Sequence, residues 1–220
     1  LYDGELLQGI ALAFNQGDGP SPQNVFAMRV DPALQSTAIL LKTAAQTIDI
    51  ATKLYGARSA MAQYKLVAGT TGKKFSEYFA GSQFDYDNIT RSSLIIQYTG
   101  AGSACAMTIN ATGLTTAVTG GPGGENISIL WTAFKTIADL VAYISSLSGY
   151  TCSVASGQSS ASPAQLDAVT AQDIKTAAYT ALSDVQALID TINASVWWSS
   201  TLHASAVRQM VDNVSTFTFA

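Results

Sequence analysis

Hydrophobic and polar residues alternate with a period of two along much of residues 24–110, which is typical of β-strands with one buried face. Within 47–54, for example, Ile48 and Ile50 alternate with polar neighbours. Half-buried strands of this kind belong to antiparallel sheets. We expect 73–80 and 83–89 each to expose one face. The alternation predicts strands at 24–31, 47–54, 62–69, 73–80, 83–89, 94–99 and 105–110.

Apolar residues recur at helical spacing in three segments, and this spacing predicts three main helices. The first helix would begin behind Asp3, and the second would end near Gly149, where a C-cap glycine belongs. The third would begin with Ser183 and Gln186 as a capping box. The three apolar stripes are Leu6, Leu7, Ile10 and Phe14; Ile137, Leu140, Val141, Ile144 and Leu147; and Leu182, Val185, Leu188, Ile189 and Ile192.

Shorter strands are predicted at 127–131, 150–156 and 215–220. Residues 33–120 would therefore be mostly strands, and residues 121–220 would mix helices and strands. The fold class that follows is α+β, with a mainly antiparallel β-sheet and about three main helices packed on it.

Charged residues make up only 12% of the 220 residues, whereas about 25% is usual for soluble domains. The net charge is −4, so no excess of basic residues is available to neutralise phosphates, and we expect no nucleic-acid binding. No apolar run reaches the length of a membrane span, and no signal-peptide pattern is visible, so we expect neither membrane insertion nor export. A surface with so few charges favours association with other proteins.

The two cysteines, Cys105 and Cys152, both lie in apolar, strand-like stretches. A chain of this length buries enough apolar surface to fold without a disulfide framework. We therefore expect two buried thiols rather than a bridge.

Two glycine-rich segments invite comparison with phosphate-binding loops. Gly100-Ala101-Gly102 follows an apolar run, as in a dinucleotide-binding loop, but Cys105 stands where the third glycine should be. Such a loop must also lead into a helix whose N–H groups bind the pyrophosphate, and here a strand is predicted instead. Alternation on both sides favours a hairpin turn. Residues 120–126, GGPGGEN, lack the Gly-Lys-Ser/Thr ending and indicate a flexible loop, so we expect no cofactor.

Other candidate chemistry is also weak at the level of sequence. Asp85 and Asp87 could contribute to a cation site, but a calcium loop needs a longer series of oxygen ligands and a glycine turn, so a solvated strand face is favoured. His203 is the only histidine, and the residues beside it offer no activated nucleophile. We therefore expect no catalytic, cofactor-binding or metal-binding residues.

Two further features bear on binding. Trp197 and Trp198 follow the third predicted helix and could line a sugar or partner site, although packing at a domain edge is commoner. A secreted or surface-displayed binding protein, glycosylated on asparagine, therefore stays open as an alternative. The five glycan acceptor patterns begin at Asn88, Asn110, Asn126, Asn193 and Asn213.

Three segments taken in order resemble the contractile-tail sheath proteins of bacteriophages. They are NVFAMRVDPALQST (24–37), IDIATKLYGARSAMAQYKL (48–66) and DNITRSSLIIQYTGAGSACAMTI (87–109). In that family a strand ending in Arg-Val, here Arg29-Val30, leads into an inserted domain with an aromatic-glycine step, here Tyr55-Gly56. A Trp-Gly-Asn-like element often follows, and this chain has ARSAMAQ instead. The segment 134–154 is similar to a later helix and strand of the inserted region.

The resemblance implies that 1–32 are the helix-strand part of an α/β sheath domain and that 33–220 are the inserted β-rich α+β domain. It also implies a structural subunit that polymerises around a tail tube and contracts to drive the tube through the host envelope. Its partners would be other sheath subunits and, through linking arms expected outside this sequence, the tail tube protein. The location would be the virion tail, assembled in the host cytoplasm.

Overall fold

The structure is a computed structural model that describes residues 34–204 and 206–218. The chain divides into two compact units, Leu1–Leu34 and Gln35–Ala220, and all the elements described below belong to the second. The predicted helix at 6–14 and the predicted strand at 24–31 lie outside the described residues. The division of the chain at residue 32 into two sheath domains stays a prediction.

The described residues form fourteen strands, and each observed strand pair is antiparallel. They are β1 (Thr37–Lys42), β2 (Ala45–Thr52), β3 (Gln63–Ala68), β4 (Lys73–Phe79), β5 (Ser82–Ile89), β6 (Ser92–Tyr98), β7 (Ala104–Ile109), β8 (Gly113–Thr119), β9 (Ser128–Leu130), β10 (Tyr150–Val154), β11 (Val169–Asp173), β12 (Tyr179–Leu182), β13 (Trp198–Leu202) and β14 (Val214–Thr218). Short 3₁₀ helices occupy Gly56–Met61, Trp131–Ala133 and Pro163–Gln165.

Two α-helices, α1 (Ile137–Ser146) and α2 (Asp184–Ala194), accompany these strands in the described residues. The α+β class and the antiparallel sheets are therefore confirmed. The described residues contain two helices and not about three, and the first predicted helix, at 6–14, lies outside them. Helix α1 is capped by Thr136, whose hydroxyl accepts from the N–H of Asp139 at 3.1 Å. None of the described helices is long and apolar enough to cross a membrane.

Two separate hydrophobic cores divide these elements into two lobes. Lobe A contains residues 35–91 and 183–218, with the sheets β1-β2-β13 and β14-β3-β4-β5 and helix α2. Lobe B contains residues 92–182, with the sheets β10-β6-β12 and β11-β7-β8-β9 and helix α1. Lobe B is thus inserted into the chain of lobe A between β5 and α2.

The core of each lobe follows the predicted alternation. In lobe A, Ile48 and Ile50 are buried on β2 while Asp49 between them is half-buried, as the period of two requires. In lobe B, Cys105, Met107 and Ile109 are buried on β7. The predicted stripe of α1 is confirmed, with Ile137, Leu140, Val141 and Ile144 buried.

Three local predictions are wrong. The segment at Gly100–Gly102 is not a hairpin, because β6 pairs with β10 and β12 while β7 pairs with β8 and β11. The loop instead runs from one sheet of lobe B to the other. Alternation on both sides of a loop does not show which strands pair, so it cannot distinguish such a crossing from a hairpin. The second wrong prediction is that 73–80 exposes one face. Strand β4 is covered on both faces at its centre, where Phe75, Ser76 and Glu77 are consecutive buried residues.

The third wrong prediction is the capping box of α2. The hydroxyl of Ser183 makes no cap bond to the helix; it is buried and lies 2.7 Å from the hydroxyl of Ser93. The side-chain amide of Gln186 donates to Asp190 at 2.9 Å and does not reach back to the helix start. The first N–H groups of α2 are satisfied instead by Asp167, which comes from lobe B.

Candidate functional site

The Gly100–Gly102 segment packs around the side chain of Tyr98. A Cβ atom at Gly100 would lie 2.5 Å from the tyrosine hydroxyl oxygen, and one at Gly102 would lie 2.9 Å from the same atom. The Tyr98 hydroxyl donates to the Glu125 carboxylate and accepts from the N–H of Gly102 at 2.9 Å. The Lys175 ammonium donates to the Gly100 carbonyl and lies 5.0 Å from the tyrosine ring centroid. The glycines therefore make room for a buried tyrosine.

Replacing Gly102 with valine is expected to destabilise lobe B by about 1–3 kcal/mol. The new Cβ would lie only 2.5 Å from Cγ1 of Val118 and would also press on Tyr98. Gly123→Val is the matched control, because no atom lies within 4 Å of a Cβ at that position. Chemical denaturation of both variants measures the difference, and equal stability of the two would contradict the tight packing described for Gly102.

A second buried network lies below the 120–126 loop. The Tyr150 hydroxyl donates to the main-chain carbonyl of Glu125 at 2.8 Å and lies 2.7 Å from the Thr116 hydroxyl. Burial raises the pKa of Tyr150. At the end of the loop, Asn126 accepts from the N–H of Val118 at 2.8 Å. The glycine-rich loop thus ends in anchored residues that hold lobe B together.

The two cysteines are free thiols, as predicted. Cys105 is buried on β7, and its sulfur lies 3.8 Å from the Tyr150 hydroxyl. Cys152 is half-buried on β10. Burial raises the pKa of the Cys105 thiol and raises that of Cys152 to about 12, so both thiols stay protonated at neutral pH and are poor nucleophiles.

The carboxylates of 85–88 interact with their own sheet. Asp85 pairs with Lys74 at 2.9 Å, and Asp87 accepts from the N–H and the hydroxyl of Thr70, both at 3.1 Å. The side-chain oxygen of Asn88 accepts from Thr71 in the same way. Among the described residues, no group of three or more histidine, cysteine, aspartate or glutamate side chains could hold a metal ion.

His203 is paired with a carboxylate from another strand. Its Nδ1 lies 2.8 Å from Oδ1 of Asp49 on β2. A histidine oriented by an acid in this way supplies two of the three members of a catalytic triad, and the nucleophile is the third. An open depression of about 380 Å³ lies beside Asp49 and includes Ser199 and Thr201. Among the side chains that the structure describes, no hydroxyl or thiol is hydrogen-bonded to the imidazole, so these side chains do not complete a triad.

The two adjacent tryptophans point to different environments. Trp198 is fully buried in lobe A, with its ring 5.1 Å from that of Tyr64 in an edge-on arrangement. Trp197 is half-buried, and its ring lies 5.5 Å from Phe79 and 5.4 Å from Phe84. Neighbouring residues of extended chain point to opposite faces, which explains why one ring enters the core and the other does not.

Phe79, Phe84 and Trp197 form an aromatic patch on lobe A. Phe84 is 50% exposed, and the guanidinium of Arg58 lies 5.9 Å from the Phe79 ring centroid. Val196, which precedes Trp197 in the chain, is 72% exposed, and Met61, which lines the same cavity as Phe79, is 56% exposed. A cavity of about 290 Å³ adjoins Phe79. Phe84 is thus the exposed member of the patch, and Phe79 and Trp197 lie half-buried beside it; exposed apolar patches are candidate interaction surfaces. The Trp pair pointed to a partner site here, and Phe84 belongs to a strand expected to expose one face, but neither phenylalanine was predicted to bind a partner.

A buried acid supports the patch from inside, and sequence reasoning missed it. Glu77 is fully buried on β4, and its carboxylate accepts from the hydroxyl of Tyr86 at 2.9 Å and from the hydroxyl of Ser195. The Ser195 oxygen in turn accepts from the N–H groups of Trp197 and Trp198, both at 3.0 Å. Glu77 therefore fixes the turn that places one tryptophan inside and the other outside.

The five asparagines of the glycan acceptor patterns are all exposed. Their side chains are nevertheless engaged: Asn110 accepts from the N–H groups of Thr112 and Gly113, and Asn193 bonds to the main chain of Ser200 in both directions. The acceptor hydroxyl that belongs to Asn193 is the buried Ser195. Because all five asparagines are exposed, their position at the surface allows a sugar to be attached to each of them.

The described part of the chain therefore presents one aromatic surface and several internal networks. The chemistry-bearing side chains mostly bond to each other within the fold. Searches with known protein families and with curated proteins find no match to this chain.

Proposed function

We propose that the chain is a structural subunit of a contractile phage tail sheath, which polymerises around the tail tube and contracts to drive it through the host envelope. The subunit would act through contacts with its neighbours and not through catalysis. The proposal rests on the resemblance of the three segments between 24 and 109 and on the surface of lobe A. The single observation that carries it is the aromatic patch beside strand β5.

Strand β5 lies at the end of its sheet and pairs with β4 in the described structure. Six of its eight residues, all but Tyr86 and Ile89, are exposed. An exposed edge strand offers main-chain groups to another chain, and Phe84 on this strand adds apolar surface at the same place. Together with the low content of charged residues, this surface is suited to burial against a neighbouring subunit.

The test uses Phe84→Ser and Trp197→Ser in the complete natural protein, with assembly followed by sedimentation. We expect either change to raise the critical concentration for assembly by at least tenfold, which corresponds to about 1.4 kcal/mol of contact energy. Tyr143→Ser is the control, since Tyr143 is an exposed aromatic residue (42%) on α1 of lobe B. Assembly that is unchanged in both patch variants would rule out the patch as a subunit contact.

A second candidate is a secreted or surface-displayed binding protein that uses the same patch. A half-buried indole beside two phenyl rings, one of them the exposed Phe84, can stack against the apolar face of a sugar, and this arrangement is the observation that favours it. Intact-mass measurement on protein from its native source separates the two candidates. Hexose-scale additions would favour secretion, whereas an unmodified mass would favour the sheath subunit.

A further inference from the structure

The 3₁₀ helix Gly56–Met61 brings two side chains to the aromatic patch of lobe A. Side chains three residues apart in a 3₁₀ helix lie on the same side of it, so Arg58 and Met61 leave this helix in one direction. The Arg58 guanidinium lies 5.9 Å from the Phe79 ring centroid. Met61 lines the cavity of about 290 Å³ that adjoins the same ring. The helix therefore places a thioether beside the patch.

The main chain around Met61 is anchored although its side chain is exposed. Ala62, the next residue, is fully buried in the core of lobe A, and its N–H donates to the carbonyl of Ser59 at 3.3 Å. The Ser59 hydroxyl in turn donates to the carbonyl of Gly56 at 2.7 Å. Met61 itself is 56% exposed. Its sulfur is therefore held at a defined place on the surface.

The other methionines of the described residues are better protected. Met107 is fully buried on β7 in lobe B. Met210 is half-buried and packs against the core of lobe A. Met28 lies outside the described residues. Oxidation of a thioether requires that the oxidant reach the sulfur, so Met61 is the most accessible target among the methionines that the structure describes.

The two thiols compete poorly for the same oxidant. A peroxide reacts with the thiolate form of cysteine. Cys105 is buried, Cys152 is half-buried, and burial raises the pKa of both thiols, so they stay protonated at neutral pH. Among the described sulfur atoms, exposure therefore directs peroxide chemistry to Met61.

We propose that Met61 is a modification site at which hydrogen peroxide converts the thioether to a sulfoxide, and that this modification weakens the binding of a neighbouring subunit to the patch. The sulfur supplies two electrons and forms a bond to one peroxide oxygen. The O–O bond breaks, and the other oxygen leaves as water. The effect on binding rests on the function proposed above, whereas the reaction at the sulfur does not.

The loss of binding follows from the polarity of the sulfoxide. A thioether is apolar and adaptable, and it packs well against aromatic rings. Its sulfoxide carries a strong hydrogen-bond acceptor, and covering that oxygen with an apolar surface that has no donor costs free energy. A neighbour that packs over Met61 and Phe84 would have to bury this oxygen or leave water beneath the contact. Sulfoxide reductases restore the thioether, so the modification is reversible.

The first part of the test locates the modification. The complete natural protein is treated with dilute hydrogen peroxide, and peptide mapping by mass spectrometry follows the gain of one oxygen atom at each methionine. We expect the Met61 peptide to be oxidised before those of Met210 and Met107. Oxidation of Met61 no faster than that of the buried Met107 would overturn the proposal.

The second part measures the critical concentration for assembly before and after oxidation, in the unmodified protein, Met61→Leu and Met210→Leu. Each protein is compared with itself, so any effect of the substitution on association cancels. We expect oxidation to raise the critical concentration roughly fivefold or more in the unmodified protein and in Met210→Leu, the effect of one unsatisfied buried acceptor. Met61→Leu should not respond, and treatment of the oxidised protein with methionine sulfoxide reductases should reverse the rise.

The outcomes separate this inference from the proposed function. Assembly that is equally sensitive to oxidation in the unmodified protein and in Met61→Leu would overturn the role of Met61. So would unchanged assembly of the unmodified protein after Met61 has been oxidised. Both results leave the sheath proposal standing. Unoxidised protein that does not assemble at all would contradict the sheath proposal and, with it, the effect of Met61 on binding.

Discussion

Trp198→Ala is expected to lower the free energy of unfolding of lobe A by about 3–5 kcal/mol. Trp198 is the largest fully buried side chain of the described residues, and its removal leaves a cavity beside Tyr64. The indole also lies at the start of β13, which pairs with the central strand β2 of its sheet. A loss of this size would leave little of the stability of a typical domain. Urea denaturation followed by circular dichroism measures it.

Trp197→Ala is the matched control, because it removes the same side chain one residue earlier. Trp197 is half-buried and contacts Phe79 and Phe84 at the surface. We expect Trp197→Ala to cost clearly less than Trp198→Ala, about 1–3 kcal/mol, because a half-buried ring loses only part of its packing together with two aromatic contacts. Equal losses for the two substitutions would contradict the inside and outside positions of the two rings.

Glu77→Ala is expected to lower the free energy of unfolding by about 2–4 kcal/mol, because it removes the acceptor of two hydroxyl groups, one of them on the buried Ser195. Tyr86 would lose its hydrogen bond, and Ser195 would lose the carboxylate that orients it toward the N–H groups of the Trp197–Trp198 turn. The same denaturation experiment measures the loss. The tryptophan fluorescence of the folded variant should also change, since both rings depend on this turn.

Asp85→Ala on the neighbouring strand provides the comparison. Asp85 forms a partly exposed ion pair with Lys74, and such pairs contribute no more than about 1 kcal/mol. A loss for Glu77→Ala as small as that for Asp85→Ala would show that the buried carboxylate is not a structural centre of the lobe.

Strand positions were largely predictable because alternation is a local property of the sequence. Strand β2 and strands β3 to β7 lie where the period of two places them. Strands β8 and β12 were not predicted, since GLTTAVT has two adjacent threonines that interrupt a simple alternation and YTAL has only four residues. Strand β11 was missed because its pairing with β7 is interrupted by a bulge between Val169 and Gln172.

Contacts between distant residues were not predictable. Ser195 lies 118 positions from Glu77, and no local pattern joins them. The same is true of Asp167, which takes the place expected for Ser183 at the start of α2. A capping-box pattern describes one helix by itself, whereas here a second lobe supplies the capping group. The pairing of β6 and β7 with other strands likewise depends on long-range contacts.

The two-lobed arrangement bears on the proposed contraction. A sheath subunit needs two packings that differ in free energy, and contacts between rigid bodies are the usual means of switching between them. The patch on lobe A would then bind a neighbouring subunit, and variants at Phe84 test that role.

Electron microscopy of the complete natural protein under assembly conditions tests the central claim most directly. The account predicts helical tubes wide enough to surround a tail tube, with density for both lobes in each subunit. Protein that stays dispersed under every condition in which a tail tube is also supplied would contradict it.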